Sequence, residues 1–180
     1  MRSQAVPTRS QRQDGTRAAL YTAAERKRRD ETIWTLVQGV LAPLQFVVFL
    51  VSVALVVRFL APGEGCWAAT VSVVVKTLVL YTIMVTGSIW EKVVFGRYLF
   101  APAFFWEDAV SMVVIALHTA YLLALWSGAA GPAAEMAIAL AAYAAYVINA
   151  AQFLIKLRNA RLEHAAMSAA PHGSSLEHAR

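Results

Sequence analysis

The sequence predicts an all-α, polytopic membrane protein whose four transmembrane helices form one bundle, with both termini in the cytoplasm. Of its 180 residues, 59% are apolar and only 15% are charged, whereas a typical soluble domain has about 25% charged residues. The apolar residues fall in four runs, each long enough to cross a bilayer, which needs about 20 mostly apolar residues. Tryptophan favours the membrane interface, and all five fall at the ends of these runs: Trp34, Trp67, Trp90, Trp106 and Trp126.

Short segments that end helices separate the four predicted spans. The spans are residues 33–60, 67–90, 104–126 and 133–157. Glycine and proline mark each break: Pro62 and Gly63, Gly96 and Pro102, and Gly128 and Pro132. The flanking residues 1–32, which are basic, and 163–180 lack an apolar period, so both are predicted to be largely disordered tails.

Polar and small residues in the outer spans predict how the helices pack. In the first span Gln38, Gln45 and Ser52 recur at seven-residue spacing, so they share one helix face. Such side chains in lipid normally point inward and hydrogen-bond between helices, and we favour that structural role for all three. In the fourth span small residues recur every four residues and predict close approach of another helix: Ala137, Ala141 and Ala145.

The third span carries ionisable residues, which are costly in hydrocarbon and usually mark a function. Glu107 and His118 lie on one stripe of this helix, because eleven residues make about three full turns. Asp108 is rotated from that stripe by about 100°. Glu107 and His118 are about 16 Å apart along the helix axis, so they do not bond directly.

Lys76 in the second span lies at the same predicted depth as His118. The two spans are antiparallel, and each residue lies about 18–21 Å from the tryptophan at the cytoplasmic end of its span. His118 has three interpretations: a satisfied interior histidine, a proton relay, or an axial ligand of a metal-bearing pigment. Spacing alone favours the first at least as much as the other two together.

Three acids are predicted to meet at the cytoplasmic end of the second and third spans. Glu91 closes the second span, and Glu107 and Asp108 open the third. An acid in a first helical turn complements the helix dipole, which explains Glu107 or Asp108 about as well as a function does. Crowded carboxylates disfavour one another's ionisation, so one of the three is expected to hold a proton at neutral pH, as a general acid must.

Charge sets the predicted orientation and excludes some partners. The net charge is +5, and the basic residues concentrate in the N-terminal segment, the second loop and the C-terminal end. The positive-inside rule places these segments in the cytoplasm. Because the charge adjoins the membrane, we expect no nucleic-acid partner. Cys66 is the only cysteine, which excludes an internal disulfide and a thiolate metal cluster.

A long and unusual run, Phe-Ala-Pro-Ala-Phe-Phe-Trp-Glu-Asp, occupies residues 100–108. Together with Ile-Met-Val-Thr-Gly-Ser-Ile-Trp-Glu-Lys (83–92) and Ser-Met-Val-Val-Ile-Ala-Leu-His-Thr-Ala-Tyr (111–121), it resembles the 3-vinyl bacteriochlorophyllide hydratase family, called 2-vinyl in older ring numbering. Val-Gln-Gly-Val-Leu-Ala-Pro-Leu-Gln-Phe (37–46) and Tyr-Val-Ile-Asn-Ala-Ala-Gln-Phe-Leu-Ile-Lys-Leu-Arg (146–158) fit as well. The resemblance covers residues 33–162 and leaves out both tails.

The resemblance implies a hydro-lyase that adds water to the C3 vinyl group of chlorophyllide a or 3-vinyl bacteriochlorophyllide a, giving a 1-hydroxyethyl group in bacteriochlorophyll biosynthesis. It implies no cofactor, because the substrate brings its own magnesium. It also implies a multi-pass protein of the bacterial cytoplasmic or intracytoplasmic photosynthetic membrane, where contact with neighbouring pathway enzymes is expected. Markovnikov hydration needs a proton donor, a base that orients water and a closed apolar pocket.

This chemistry suggests roles for the residues already singled out. Glu107 is the expected proton donor, with Glu91 or Asp108 keeping it protonated and orienting water, although the reversed roles fit the sequence equally well. His118 would bind the magnesium or a ring substituent. The other expected pigment-binding residues are Lys76, Lys92 and Arg97, the last two for the propionate, and Tyr98, Phe104 and Phe105 for stacking on the ring. The plainer interpretation is that Lys92 and Arg97 set topology and the phenylalanines fill the interface.

Two other functions also fit these residues. A non-enzymatic pigment-binding or assembly subunit of a photosynthetic complex would use His118 as a magnesium ligand and need no acid cluster. A small proton-coupled carrier would use Lys76 and His118 as a relay. The cluster of Glu91, Glu107 and Asp108 favours the hydratase. The residues leave open whether a chlorin or a bacteriochlorin is preferred.

Overall fold

The computed structural model describes residues 20–61 and 63–169, and all regular structure within them is helical. The five helices are α1 (Ala23–Glu31), α2 (Ile33–Leu60), α3 (Cys66–Phe95), α4 (Phe105–Ser127) and α5 (Pro132–Ala169). Helices α2, α3 and α4 and residues Pro132–Leu162 of α5 are long and apolar enough to cross a membrane. The predicted all-α fold with four spans is confirmed, and the chain is a multi-pass membrane protein. Residues 1–19 and 170–180 of the predicted tails lie outside the described residues.

Glycines in the left-handed backbone region set the helix ends. Gly96, with φ 81°, caps α3, and Gly128, with φ 60°, caps α4. This conformation is one that glycine adopts without a steric penalty. Because the break comes at Gly96, α3 runs five residues beyond the predicted end of its span at residue 90. Glu91 therefore lies on the helix rather than at its end.

The helices form two antiparallel hairpins, α2–α3 and α4–α5, each with extensive contacts between its own two helices. Polar contacts bridge the boundary between them, which we call the hairpin seam. Tyr81 of α3 meets Thr119 of α4 at 2.7 Å, and Ser52 of α2 meets Tyr143 of α5 at 2.5 Å. In a bilayer, apolar side chains gain little by leaving the lipid, so hydrogen bonds between helices help to hold the bundle together.

The polar stripe of α2 points inward as predicted, but its three members differ. Gln38 donates to Thr86 Oγ1 at 2.8 Å, and Ser52 also meets Ser72 Oγ at 2.8 Å. The predicted interhelical hydrogen bonds are therefore confirmed for these two. Gln45 is only 2% exposed, yet neither atom of its amide has a hydrogen-bond partner among the described residues. For Gln45 that prediction is wrong.

The small-residue prediction for α5 is confirmed only in part. Ala137 and Ala141 are exposed, whereas Ala145 packs against the core and Ala139 and Ala142 are fully buried. Tyr143 and Tyr146 are buried on the same face of α5 as Ala139 and Ala142. This face of the helix therefore points into the bundle. Four-residue spacing alone does not distinguish the two faces.

Helix α1 packs against the end of the bundle that also holds the α3–α4 loop and the C-terminal part of α5, here called the α1 end. A capping box begins the helix: the Thr22 hydroxyl accepts from the Glu25 amide at 3.3 Å, and the Thr22 amide donates to the Glu25 carboxylate at 2.8 Å. Tyr21 stacks on Phe95 at 5.7 Å between ring centroids. Arg28 donates to the Val94 carbonyl at 2.8 Å. Residues 23–31 form this helix within the segment 1–32 that the sequence predicted to be largely disordered.

We expect Thr22→Ala to weaken α1 by about 1 kcal/mol, the usual effect of losing an N-cap. Hydrogen–deuterium exchange should become faster in residues 23–31 and stay unchanged in α2 to α5. Thr82→Ala is the matched control, because that exposed hydroxyl bonds only to a carbonyl of its own helix. If hydrogen–deuterium exchange in residues 23–31 became equally fast in both variants, the Thr22 cap would have no specific role in stabilising α1.

Candidate active site

Three acids meet at the α1 end, as the sequence predicted. Glu91 comes from the last turns of α3, and Glu107 and Asp108 come from the first turn of α4. Their exposed fractions are 6%, 7% and 3%, so all three are buried. The carboxyl groups of Glu91 and Asp108 accept hydrogen bonds from two consecutive amides of the α3–α4 loop, so they are neighbours. A hydrogen bond between two carboxyl groups requires a proton on one of them, because an ionised carboxylate only accepts.

The α3–α4 loop closes over the Glu91–Asp108 pair with two consecutive backbone amides. The amide of Phe100 donates to Asp108 Oδ2 at 2.7 Å, and that of Ala101 donates to Glu91 Oε2 at 3.3 Å. Phe100 has φ 58°, the left-handed region that non-glycine residues rarely occupy. Successive amides arranged around such a residue form a concave anion site. The loop backbone is therefore shaped to hold one negative charge on the pair.

Glu107 has a different partner from the other two acids. Lys156 of α5 lies 2.5 Å from Glu107 Oε2 and also donates to the Ala103 carbonyl. The same ammonium lies 4.8 Å from the centre of the Phe104 ring. Charge-assisted hydrogen bonds of this type favour the ionised carboxylate. Glu107 is therefore in an ion pair with Lys156, next to the Glu91–Asp108 pair.

Sequence reasoning missed Lys156 as a member of this site, because it counted Lys156 only among the charges that set topology. A signal was present: Lys156 follows Asn149 by seven residues, so the two lie on one face of α5. Asn149 is buried and donates to Ser111 Oγ at 2.8 Å. That face of α5 therefore runs along the stripe of α4 that carries Glu107, Ser111 and His118.

The aromatic and basic residues named from the sequence divide between the interior and the surface. Phe104 is 3% exposed and packs among other rings: Tyr21, Trp90, Phe95 and Phe153. Tyr98 and Phe105 are 61% and 47% exposed. Lys92 and Arg97 are also exposed at this rim, with the Lys92 ammonium 5.2 Å from the centre of the Tyr98 ring.

Lys76 and His118 lie together in the middle of the bundle, as their predicted depths suggested. Lys76 Nζ lies 2.7 Å from His118 Nε2, and both side chains are fully buried. His118 Nδ1 donates to the Val114 carbonyl at 2.8 Å, which leaves Nε2 as the acceptor for Lys76. The lysine ammonium also lies over the ring of Tyr146, 4.1 Å from its centre. This pair is separate from the acid cluster.

Comparison with known proteins decides the family. The family model of 2-vinyl bacteriochlorophyllide hydratase (BCHF) matches residues 21–159. A 2-vinyl bacteriochlorophyllide hydratase from Rhodobacter capsulatus is 68% identical over 157 residues, which is 87% of this chain and 91% of the relative. The protein of that name from Cereibacter sphaeroides is 68% identical over 144 residues, 80% of this chain and 89% of the relative. The chain belongs to this family. No solved structure matches it.

As a 2-vinyl bacteriochlorophyllide hydratase family member, the chain is a hydro-lyase, and the resemblance seen in its sequence is confirmed. A hydratase needs a group that gives a proton and a group that takes one. The α1 end brings Glu91, Asp108 and the Glu107–Lys156 ion pair together. Among residues 20–61 and 63–169, no three histidine, cysteine or acidic side chains are grouped to hold a metal ion.

We expect Lys156→Met to destabilise this hydratase, because it leaves the buried Glu107 carboxylate without its cation. Breaking a buried ion pair costs about 3–5 kcal/mol, and a smaller loss is expected here since the Lys156 side chain is 24% exposed. Thermal unfolding in detergent would measure it, and Lys156→Met combined with Glu107→Gln should recover part of the loss.

Arg58→Gln is the control for that measurement. Arg58 and Glu64 form an ion pair at 3.9 Å with both side chains largely exposed, and such pairs contribute little. A melting temperature for Lys156→Met no lower than that of Arg58→Gln would show that the Glu107 ion pair is not required for stability.

Proposed function

We propose that the chain adds water to the C3 vinyl group, C2 in older numbering, of chlorophyllide a or 3-vinyl bacteriochlorophyllide a, forming a 1-hydroxyethyl group in bacteriochlorophyll biosynthesis. The names of two relatives at 68% identity support this reaction. The observation that carries the mechanism is the difference in partners among the three acids. Glu91 and Asp108 accept from adjacent loop amides, whereas Glu107 is in an ion pair with Lys156. That arrangement suits acid-catalysed addition across a carbon–carbon double bond.

The reaction begins with transfer of a proton to the terminal carbon of the vinyl group. The positive charge then lies on the inner carbon, where the conjugated macrocycle delocalises it, and this preference gives the Markovnikov product. The oxygen of water bonds to the inner carbon and loses a proton. The closed, apolar surroundings of the bundle keep other water away from the cation.

We assign proton donation to the Glu91–Asp108 pair and proton acceptance to Glu107. The pair carries one proton between two carboxyl groups, and the Phe100 and Ala101 amides stabilise the negative charge left after donation. Glu107, ionised beside Lys156, takes the proton from the attacking water. The sequence allowed Glu107 to be either the donor or the base. The ion pair between Glu107 and Lys156 favours Glu107 as the base. Asp108 neighbours Glu107 on α4, so the proton can return to the pair after each turnover.

The pigment is proposed to approach over the exposed aromatic rim of the α1 end. Tyr98 and Phe105 offer ring surfaces, and Lys92 and Arg97 offer cations for the propionate. Magnesium arrives with the substrate, and no protein cofactor is proposed. His118 would contact the magnesium or a ring substituent, and ligation requires that its Nε2 exchange the hydrogen bond from Lys76.

We propose that the α1 end faces the cytoplasm of a bacterial cytoplasmic or intracytoplasmic membrane. The basic residues of α1, such as Lys27, Arg28 and Arg29, support this orientation under the positive-inside rule. A cytoplasmic rim would also let a water-exposed propionate remain outside the bilayer. Handover of pigment from neighbouring pathway enzymes at this rim is part of the proposal.

Glu91→Gln and Asp108→Asn should each lower the hydration rate about 100- to 10,000-fold, the range for loss of a general acid, while pigment binding persists. Mass spectrometry of chlorophyllide a incubated with membranes carrying each variant would detect the product heavier by one water. Glu135→Gln is the control, because Glu135 is equally buried, at 7% exposed, but lies in the first turn of α5 at the opposite end. Loss of binding in step with loss of hydration would contradict the assignment.

Arg97→Gln combined with Lys92→Gln should raise KM for a pigment with a free propionate by several-fold and leave kcat unchanged. Exposed ion pairs contribute about 0.2–1 kcal/mol each, so a larger effect is not expected. The same pigment esterified at the propionate is the control substrate, and its KM should not change. An equal rise in KM for both pigments would rule out propionate recognition by these residues.

A further inference from the structure

Buried amide groups without protein partners lie on facing helices of the bundle. Both amide atoms of Gln45, the amide oxygen of Asn149 and that of Gln152 are buried and lack hydrogen-bond partners among the described residues. Gln45 and Asn149 are only 2% and 8% exposed. A buried polar atom without a partner costs about 1–3 kcal/mol, so several of them in one region indicate a ligand rather than a packing role.

These amides lie next to the acid cluster on its membrane side. Phe49 of α2 packs on Tyr146 of α5 at 4.8 Å between ring centroids. Gln45 precedes Phe49 by one turn of α2, and Asn149 follows Tyr146 by about one turn of α5. Because the two helices are antiparallel, Gln45 and Asn149 lie at the same level of the bundle. Asn149 in turn donates to Ser111, which follows Glu107 by one turn of α4, a rise of about 6 Å.

The type of unpartnered atom identifies the chemistry of the ligand. Three of the four atoms are amide oxygens, which only accept hydrogen bonds, and one is the amide nitrogen of Gln45, which donates. A ring carbonyl or ester of the pigment could accept a hydrogen bond from the Gln45 nitrogen. It has no donor for the three oxygens. A water molecule can donate to two of the oxygens and accept from the nitrogen, so it meets three of the four atoms, more than a carbonyl or ester does.

We propose that Gln45, Asn149 and Gln152 bind the water molecule that is added to the vinyl group, an inference that rests on the proposed function. The Glu91–Asp108 pair gives its proton to the terminal vinyl carbon, and the bound water forms the new carbon–oxygen bond at the inner carbon. One proton of that water passes to Glu107 through a second water molecule, so charge and atoms balance over the step. The amides lie one turn of α4, about 6 Å, from Glu107, a distance that one bridging water can span.

Deuterium exchange separates water capture from protonation. In D₂O the acid pair transfers a deuteron to the terminal vinyl carbon, and the resulting cation either captures water or loses a proton and returns as vinyl substrate carrying deuterium. Gln45→Leu should slow hydration at least ten-fold and raise the ratio of deuterated vinyl substrate to hydrated product by a similar factor. Mass spectrometry of chlorophyllide a after partial turnover measures both quantities in one sample.

Gln38→Leu is the matched control, because Gln38 occupies the same stripe of α2 but is hydrogen-bonded to Thr86. This variant should leave the ratio of deuterated vinyl substrate to hydrated product at the wild-type value. If Gln45→Leu does not accumulate in folded form, Gln45→Met and Asn149→Leu replace it. Each should raise the ratio of deuterated vinyl substrate to hydrated product. An unchanged ratio in these variants, with or without a slower rate, would overturn the water site. Absence of hydrated product from the wild-type chain would contradict the proposed function, and the water site with it.

Discussion

A helix bundle in a bilayer gains little from burying apolar side chains, because the lipid around it is as apolar as its core. Its polar residues must therefore find partners inside the bundle, and this requirement arranges most of the structure. Lys76 with His118, Tyr81 with Thr119 and Ser52 with Tyr143 all join one helix hairpin to the other. Many large apolar side chains face outward, as Trp67 and Trp126 show with exposed fractions of 78% and 89%.

The same requirement gives the acids their different states. Glu107 meets a cation from α5, whereas Glu91 and Asp108 meet each other and the amides of the loop. Two kinds of partner, supplied by different elements, thus distinguish three similar side chains. In the proposed mechanism this difference in partners separates the proton donor from the proton acceptor, a division that soluble enzymes often produce by burial alone.

Local sequence pattern predicted the four spans and the acid cluster, but not α1, because the spans and the cluster depend on residues close together in the chain. The spans follow from runs of apolar residues, and Glu91 meets Glu107 and Asp108 because a short loop joins their helices. Lys156 and Gln45 could not be assigned in this way. Their partners, or the lack of them, depend on how α5 lies against α4 and α2, which helical periodicity in one segment does not specify. The amides of Phe100 and Ala101 depend on a loop conformation that side-chain pattern does not encode.

The loop that holds the acids also forms part of the rim over which the pigment is proposed to approach. The Phe100 ring is 38% exposed and packs on Phe105 at 5.6 Å between centroids, while the amide of the same residue binds Asp108. The left-handed conformation of Phe100 costs about 1–3 kcal/mol and persists only because its surroundings hold it. A ligand that displaces this ring therefore also moves a hydrogen-bond donor of the acid pair. Under the proposed function, docking of the pigment and the hydrogen bonding of the acid pair would both depend on this single peptide unit.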